Sequence, residues 1–208
     1  MPDRTGVAAP TAEYLWYIPN QVIPGHRGDA VTADHNSLET LTAQARALEE
    51  YGWQGALIGT GWGRPDTFTV ATALAARTTT FEPLVAVRPG YWRPAHFASA
   101  AASLDHLTGG RLRINIVSGK DDLAAYGEAE EDQADRYART REFLRLVRRL
   151  WTEENVTYRG EHYRVTDSTV TPRITVRGPP APAALLRWRV GGGRTSRRDR
   201  SRCPALLG

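Results

Sequence analysis

Seven residues with ligand-binding side chains, Thr60, Arg64, Arg88, Trp92, Arg93, Asn115 and Ser118, fall in three short stretches, each following an apolar run. A hydroxyl, an amide and guanidinium groups orient a polar or anionic ligand, and an indole suits a flat or apolar one. None of them pairs a nucleophile with a base, so no catalytic residue is assigned. His26 and Asp29 are titratable candidates in a long loop from Asn20 to Asn36, and loops of this length in compact domains are often functional. Taken alone, His26 also reads as a solvated surface histidine.

The elements that must position these groups are clearest from Ala100 to Gly119, AAASLDHLTGGRLRINIVSG. Phe97, Ala101, Leu104 and the pair His106-Leu107 recur at helical spacing before Gly109-Gly110, which suits the left-handed stop of a helix. From Arg111 the period becomes two, with Leu112, Ile114 and Ile116 on one face and Arg113, Asn115 and Val117 on the other. In a parallel sheet covered by helices the aliphatic face packs outward, so Asn115 looks inward near the carboxyl end of its strand, where α/β folds place ligands. The alternative is an amide that only bonds a neighbouring loop.

The rest of the chain repeats this joint. Tyr14 to Ile18 reads as a first strand with both faces buried, closed by Pro19, and Gly55 to Ile58 as a second. Between them Ser37 to Tyr51 reads as a helix with the stripe Leu38, Leu41, Ala45 and Leu48, ended by Gly52. The turn Gly59-Thr60-Gly61-Trp62-Gly63-Arg64-Pro65 invites a dinucleotide fold and fails its fingerprint. The third glycine would fall on Arg64, and no acidic residue closes a following strand at the expected distance. Asp66 to Arg77 reads as a helix with Pro65 in its first turn, and Leu84 to Val87 as a third strand running into the cationic aromatic loop Arg88 to Pro94.

Beyond the fourth strand an acidic, glycine-containing insertion from Lys120 to Asp132 leads into a helix from Asp135 to Trp151. Its stripe is Tyr137, Leu144, Val147 and Trp151, and its arginines face solvent. Tyr137, in the first turn, can approach an anion held at a helix N-terminus, or its ring can pack in the core. Val156 to Val165, turning at Arg159-Gly160, reads as a hairpin outside the main sheet. Four strand-then-helix units in order argue for a parallel α/β architecture, and an open sheet or half a barrel would both fit.

At 208 residues the chain can bury a sizeable core. No apolar run reaches the roughly 18 residues of a membrane span, and residues 1–10 lack the regions of a signal peptide, so the expectation is a cytoplasmic protein with no membrane partner. The single cysteine, Cys203, excludes a disulfide framework and a cysteine-rich zinc site; no metal site is expected. The net charge of +4 is concentrated at one end. From Gly178 onward seven arginines face one aspartate, and the remainder holds 20 basic against 22 acidic residues. Only Lys120 is a lysine, a bias that fits GC-rich coding better than selection for phosphate contacts, so no nucleic-acid partner is expected.

Taken together, Trp16-Tyr17-Ile18-Pro19, Ala56-Leu57-Ile58-Gly59-Thr60-Gly61, Ser103 to Arg111 (SLDHLTGGR), Asn115 to Gly119 (NIVSG) and Asp135-Arg136-Tyr137 resemble the bacterial-luciferase-like flavin monooxygenases, most nearly the alkanesulfonate monooxygenases, over about residues 13 to 178. The resemblance implies a TIM-barrel fold of which this chain carries the N-terminal half. It implies reduced FMN delivered by a separate NAD(P)H-dependent flavin reductase, and transfer of one atom of dioxygen to an alkanesulfonate or related organosulfur compound, giving an aldehyde and sulfite. It assigns Thr60, Arg88, Asn115, Ser118 and Tyr137 to the cofactor, and His26, Arg64, Trp92 and Arg93 to the substrate. A site of this type works by excluding water and positioning its reactants. Two departures bear on substrate: Gln133 stands where relatives often carry histidine, and Arg64 where the alkanesulfonate enzymes place a cysteine. The nearest alternative is a deazaflavin-dependent oxidoreductase of the same fold.

The domain reading is a mobile arm over residues 1–12, four βα units plus the hairpin over 13–177, and an irregular basic tail over 178–208. Ala184 to Val190 can be encoded so that a one-base shift reads Leu-Tyr-Phe-Gly-Gly-Gly, close to the family's fifth strand, and the arginine-rich residues after it then read as out-of-frame translation. A disordered nucleic-acid-binding tail on a non-catalytic fragment is the rival reading. The expectation is an incomplete barrel with weak FMN affinity, little activity and two open strand edges, and a homo-oligomer when full length.

Overall fold

The computed structural model describes residues 13–20, 34–118, 123–129 and 131–175. Four strands, β1 (Leu15–Ile18), β2 (Gly55–Ile58), β3 (Glu82–Val87) and β4 (Arg113–Ile116), form one parallel sheet in the order β1-β2-β3-β4. Helices α1 (Leu38–Glu50), α2 (Thr67–Ala75) and α3 (Pro94–Leu107) make the crossovers, and α4 (Gln133–Thr152) packs on α3. A separate antiparallel pair, β5 (Val156–Arg159) and β6 (Arg164–Ser168), follows α4.

Register divides the sheet into two faces. Ile18, Ile58 and Val85 lie in one row and Val87 and Ile116 in the next, all nearly inaccessible under the helices. Tyr17, Leu57, Leu84 and Arg113 share the opposite face, with Asn115 opposite Ala86, and there most side chains are only half-buried. The predicted inward direction of Asn115 is the one observed. The first strand departs from expectation: Trp16 is 55% exposed, so β1 is not buried on both faces. It is an edge strand, no described helix covers Trp16, and its ring meets Trp53 edge-on at 5.0 Å.

At the amino-terminal end of the inner face Arg113 bonds Glu13 at 3.0 Å and also pairs with Glu82. Burial opposes the guanidinium's charge, but the two carboxylates more than offset it and raise the Arg113 pKa. Because Glu13 precedes β1, this network ties the first strand to the fourth across the inner face.

Helix boundaries follow local chemistry. Ser37 caps α1, accepting from Thr40 N at 3.1 Å, and Leu38 beside it is exposed while Thr42 joins the buried stripe. Asp66 caps α2 through Thr69 N at 2.8 Å, which leaves Pro65 outside the helix rather than in its first turn. Asp132 caps α4 two residues earlier than expected. Gly109 and Gly110 have φ of 65° and 84°, the left-handed stop anticipated after α3.

The segment from Asp105 to Arg111 is a clamp at the amino-terminal end of the sheet. Arg111 folds back to donate to Thr108 O, Phe81 O and Ala75 O, each at 2.9 Å, and so joins the ends of α2 and α3 to the start of β3. Buried Asp105 accepts from Thr175 N at 2.6 Å, holding the segment that follows the hairpin. The sequence signature is therefore largely architectural.

Candidate functional site

The carboxyl ends of the four strands carry the polar groups that the sheet itself does not use, as α/β barrels do. After β1, Asn20 is fully buried, and its amide nitrogen donates to Gly59 O after β2 at 2.9 Å. Arg64 Nη1 donates to Asn20 Oδ1 at 3.1 Å and to the Tyr17 hydroxyl at 2.9 Å. A Cβ on Gly59 would lie 3.0 Å from Arg64 Nη1 and 3.1 Å from Asn20 Oδ1, so glycine is what lets the β2 loop close over this cluster.

Beside the cluster opens a cleft of about 570 Å³ among the loops after β2, β3 and β4, lined by Thr60, Trp62, Arg64, Tyr91, Trp92 and Tyr126 among others. Tyr91 and Tyr126 stack at 3.6 Å, Trp62 meets Tyr126 edge-on at 5.1 Å, and Trp92 is backed by Phe68 at 5.0 Å. Arg88 lies 5.7 Å from the centre of the Tyr91 ring.

Between the β3 loop and α4, Arg88 and Ser118 line a second, very small space together with Arg136 and Arg139. Contrary to the helix pattern, which turns the arginines of α4 to solvent, not all of them are there. Arg139 is buried and pairs with Glu131 at 2.8 Å, and Arg136 donates to Glu131 O at 2.7 Å and Ser118 O at 3.4 Å. Their partners lie in loops, which a helical wheel does not see. Gly90 permits the approach, since a Cβ there would stand 2.7 Å from Arg139 Nη2.

The predicted residues thus separate. Thr60, Arg64 and Trp92 come together in the large cleft; Arg88 and Ser118 meet in the smaller space. Arg93 is exposed at the N-cap of α3 and lines a third recess of about 150 Å³ with His162 and Tyr163. Asn115 is half-buried on the inner face. Tyr137 is half-buried on α4, one residue beyond the first turn, and stays out of the buried stripe. Asp132 already takes a backbone donor of that terminus. His26, Asp29, residues 1–12 and the tail lie outside the described residues. The side chains of Thr60, Asn115 and Tyr137 form no hydrogen bond with a described residue, whereas Arg64, Arg136 and Arg139 are all held.

Sequence reasoning missed Tyr17, Asn20, Trp62, Tyr91, Tyr126, Arg136 and Arg139. The available signals were Tyr17 on the inner parity of β1, and aromatic residues next to glycine in three successive loops, after β2, β3 and β4.

The hairpin braces this end of the sheet. Tyr163 OH donates to Pro89 O at 3.2 Å, and Glu142, buried on α4, accepts from Tyr163 N at 2.9 Å and from His162 N at 3.1 Å. Burial pushes the Tyr163 phenol well above the usual tyrosine range, so it donates at every ordinary pH.

The family model described as luciferase-like monooxygenase matches residues 14–185. An FMNH2-dependent dimethylsulfone monooxygenase from Pseudomonas putida is 33% identical over 153 residues, which are 73% of this chain and 40% of that protein. Among solved structures, a monooxygenase from Streptomyces bottropensis is 26% identical with a TM-score of 0.66, covering 78% of this chain and 50% of its own. The EDTA monooxygenase from Chelativorans is 20% identical with a TM-score of 0.70, covering 81% and 49%. The chain therefore spans about two fifths to a half of the length of these relatives, and the four-stranded sheet is part of their TIM-barrel fold.

Proposed function

The chain belongs to the luciferase-like monooxygenase family, and from that premise we propose that the carboxyl ends of β1 to β4 bind reduced FMN for the oxygenation of a small organosulfur substrate. The observation that carries the reading is that Thr60, just after β2, and Asn115, on β4, keep side chains with no hydrogen bond to a described residue, while Asn20 and Arg64 at the same end of the sheet are held. An amide and a hydroxyl offer both donors and acceptors, the chemistry that the polar edge of an isoalloxazine ring requires. Such groups fit the cofactor. Asn115 and Thr60 would hold its ring, and Ser118 and Tyr137, towards α4, its phosphate end. When bound, reduced FMN supplies the two electrons with which dioxygen gives one atom to substrate and one to water.

The protein's own contribution is positional. Asn20 and Gly59 lock the β2 loop to the end of β1, Arg139 and Tyr163 hold the β3 loop from outside, and the aromatic residues of the cleft keep water from the reactants. No strong acid or base is needed for this role. A separate NAD(P)H-dependent flavin reductase would supply the reduced cofactor. Similarity to a dimethylsulfone monooxygenase supports a sulfur compound as substrate, with an alkanesulfonate yielding aldehyde and sulfite. His26, Arg64, Trp92 and Arg93 are the proposed substrate contacts, and a homo-oligomer is the proposed assembly of the full-length protein.

The test is a graft of residues 13–177 into the matching stretch of the dimethylsulfone monooxygenase. With a flavin reductase present, the graft should consume substrate in a flavin-dependent way, and Asn115→Leu within it should abolish turnover without loss of fold. A folded graft that binds no reduced FMN would overturn the proposal.

A further inference from the structure

Arg64 is a half-buried cation for which no described carboxylate forms an ion pair. Its Nη1 is taken by two neutral acceptors, the Tyr17 hydroxyl and the Asn20 amide oxygen, which fix its orientation without neutralising its charge. Asp66 also lines the cleft, but it caps α2 and turns Oδ1 to Thr69 N and Thr69 Oγ1, both at 2.8 Å. An arginine cannot lose its charge by deprotonation, so a half-buried guanidinium with no ion-pair partner among the described residues favours an anion.

The walls of the cleft call for something else. Trp62 is 61% exposed, carried on a turn in which Gly61 and Gly63 have φ of 151° and 78°. It leans edge-on against Tyr126, which also stacks on the ring of Tyr91. A large indole held in water by a glycine turn, beside a stacked pair and lining one cleft with Trp92, is a surface for a flat ring.

From these two features we infer that the cleft selects a planar aromatic ligand bearing one anionic group, with the ring against Trp62 and Trp92 and the anion on Arg64. A short alkanesulfonate satisfies only the second half of that description. The inference deepens the proposed function by naming the substrate class, and as a substrate assignment it rests on that reading; binding itself does not require the flavin.

Calorimetry on the full 208-residue chain without flavin tests it, using benzenesulfonate (ring and charge), butanesulfonate (charge only) and benzenesulfonamide (ring only). Benzenesulfonate should bind one-to-one and about tenfold more tightly than either control. Arg64→Gln should bring benzenesulfonate to the level of the sulfonamide, Arg64→Lys should restore part of the difference, and Trp62→Ala should bring it to the level of butanesulfonate. Trp62 lies at an exposed turn, so its variant folds even where an Arg64 variant does not. Equal affinities for the three ligands, no binding of benzenesulfonate, or a ring preference untouched by Trp62→Ala would each overturn the inference. A parallel titration with reduced FMN separates the two readings: FMN binding without benzenesulfonate binding sinks this inference alone, and the converse sinks the flavin site alone.

Discussion

The Tyr163 hydroxyl donates to the carbonyl of Pro89 at 3.2 Å across 74 residues of chain, so a hairpin outside the sheet sets the position of the loop after β3. Tyr163→Phe removes that bond and leaves the Pro89 carbonyl only its long bond from Trp92 N at 3.4 Å, at a cost of about 1 kcal/mol. Hydrogen exchange at Tyr91 and Trp92, whose amides donate to Arg88 O and Pro89 O, should quicken while the amides of α1 and α2 stay protected. Unchanged rates at both would show that the hairpin is not the brace.

Gly160 is the position that lets the same hairpin dock. A Cβ there would stand 2.0 Å from Glu142 Oε1, which is itself fixed by Tyr163 N. Gly160→Ala should therefore destabilise by roughly 2–3 kcal/mol, and Glu142→Gln in the same chain should not add to it fully, because both changes break one contact. Urea midpoints of the two single variants and the double variant measure this.

Glu49 gives the protein an acid-sensitive joint. One carboxylate oxygen accepts from Thr79 N at 2.8 Å and Phe81 N at 2.7 Å, and also from Thr80 N, which ties α1 to the turn before β3. Burial works to raise its pKa, but the donors, led by Thr80 and Phe81, outweigh burial and hold it below the usual carboxylate range. The stability this contributes is complete above the unfolded pKa of about 4.3 and is lost as pH falls through the lower folded value. Solvent screening at a half-buried site limits it to about 1 kcal/mol. Glu49→Gln should flatten the difference in melting temperature between pH 6 and pH 3, and an unchanged slope would contradict the assignment.

Much of the fold was legible because its signals are local. Hydrophobic period, glycine stops and capping residues located the helices and the four strands to within a few residues, and Asn115 fell on the inner face by parity alone. What was not legible depends on partners far along the chain. Nothing near Tyr17 or Asn20 announces a bond to Arg64 more than 40 residues away. A helical wheel likewise turns Arg139 to solvent, when Glu131 and the close approach of Gly90 draw it inside. The exposure of Trp16 shows the same limit from the other side: a run of apolar residues says that a strand can be buried, and only the neighbouring helices decide whether it is.

Arg111 separates architecture from chemistry within the glycine-arginine signature. It serves three carbonyls at once, a geometry that a lysine cannot reproduce. Arg111→Lys should cost roughly 2–3 kcal/mol in stability, and any ligand affinity retained at temperatures well below melting should be unchanged. A selective loss of ligand binding with full stability would place this residue in the site.

Binding of reduced FMN at the carboxyl ends of β1 to β4 is the property on which the proposed activity depends. Anaerobic titration of the 208-residue chain, followed by the flavin's fluorescence and by calorimetry, measures this without any need for turnover. The predicted result is weak, saturable, one-to-one binding, lost in Asn115→Leu and reduced in Thr60→Val, with the far-ultraviolet dichroism of both variants unchanged. Reduced FMN that fails to bind, or that binds equally well to wild type and Asn115→Leu, would contradict it.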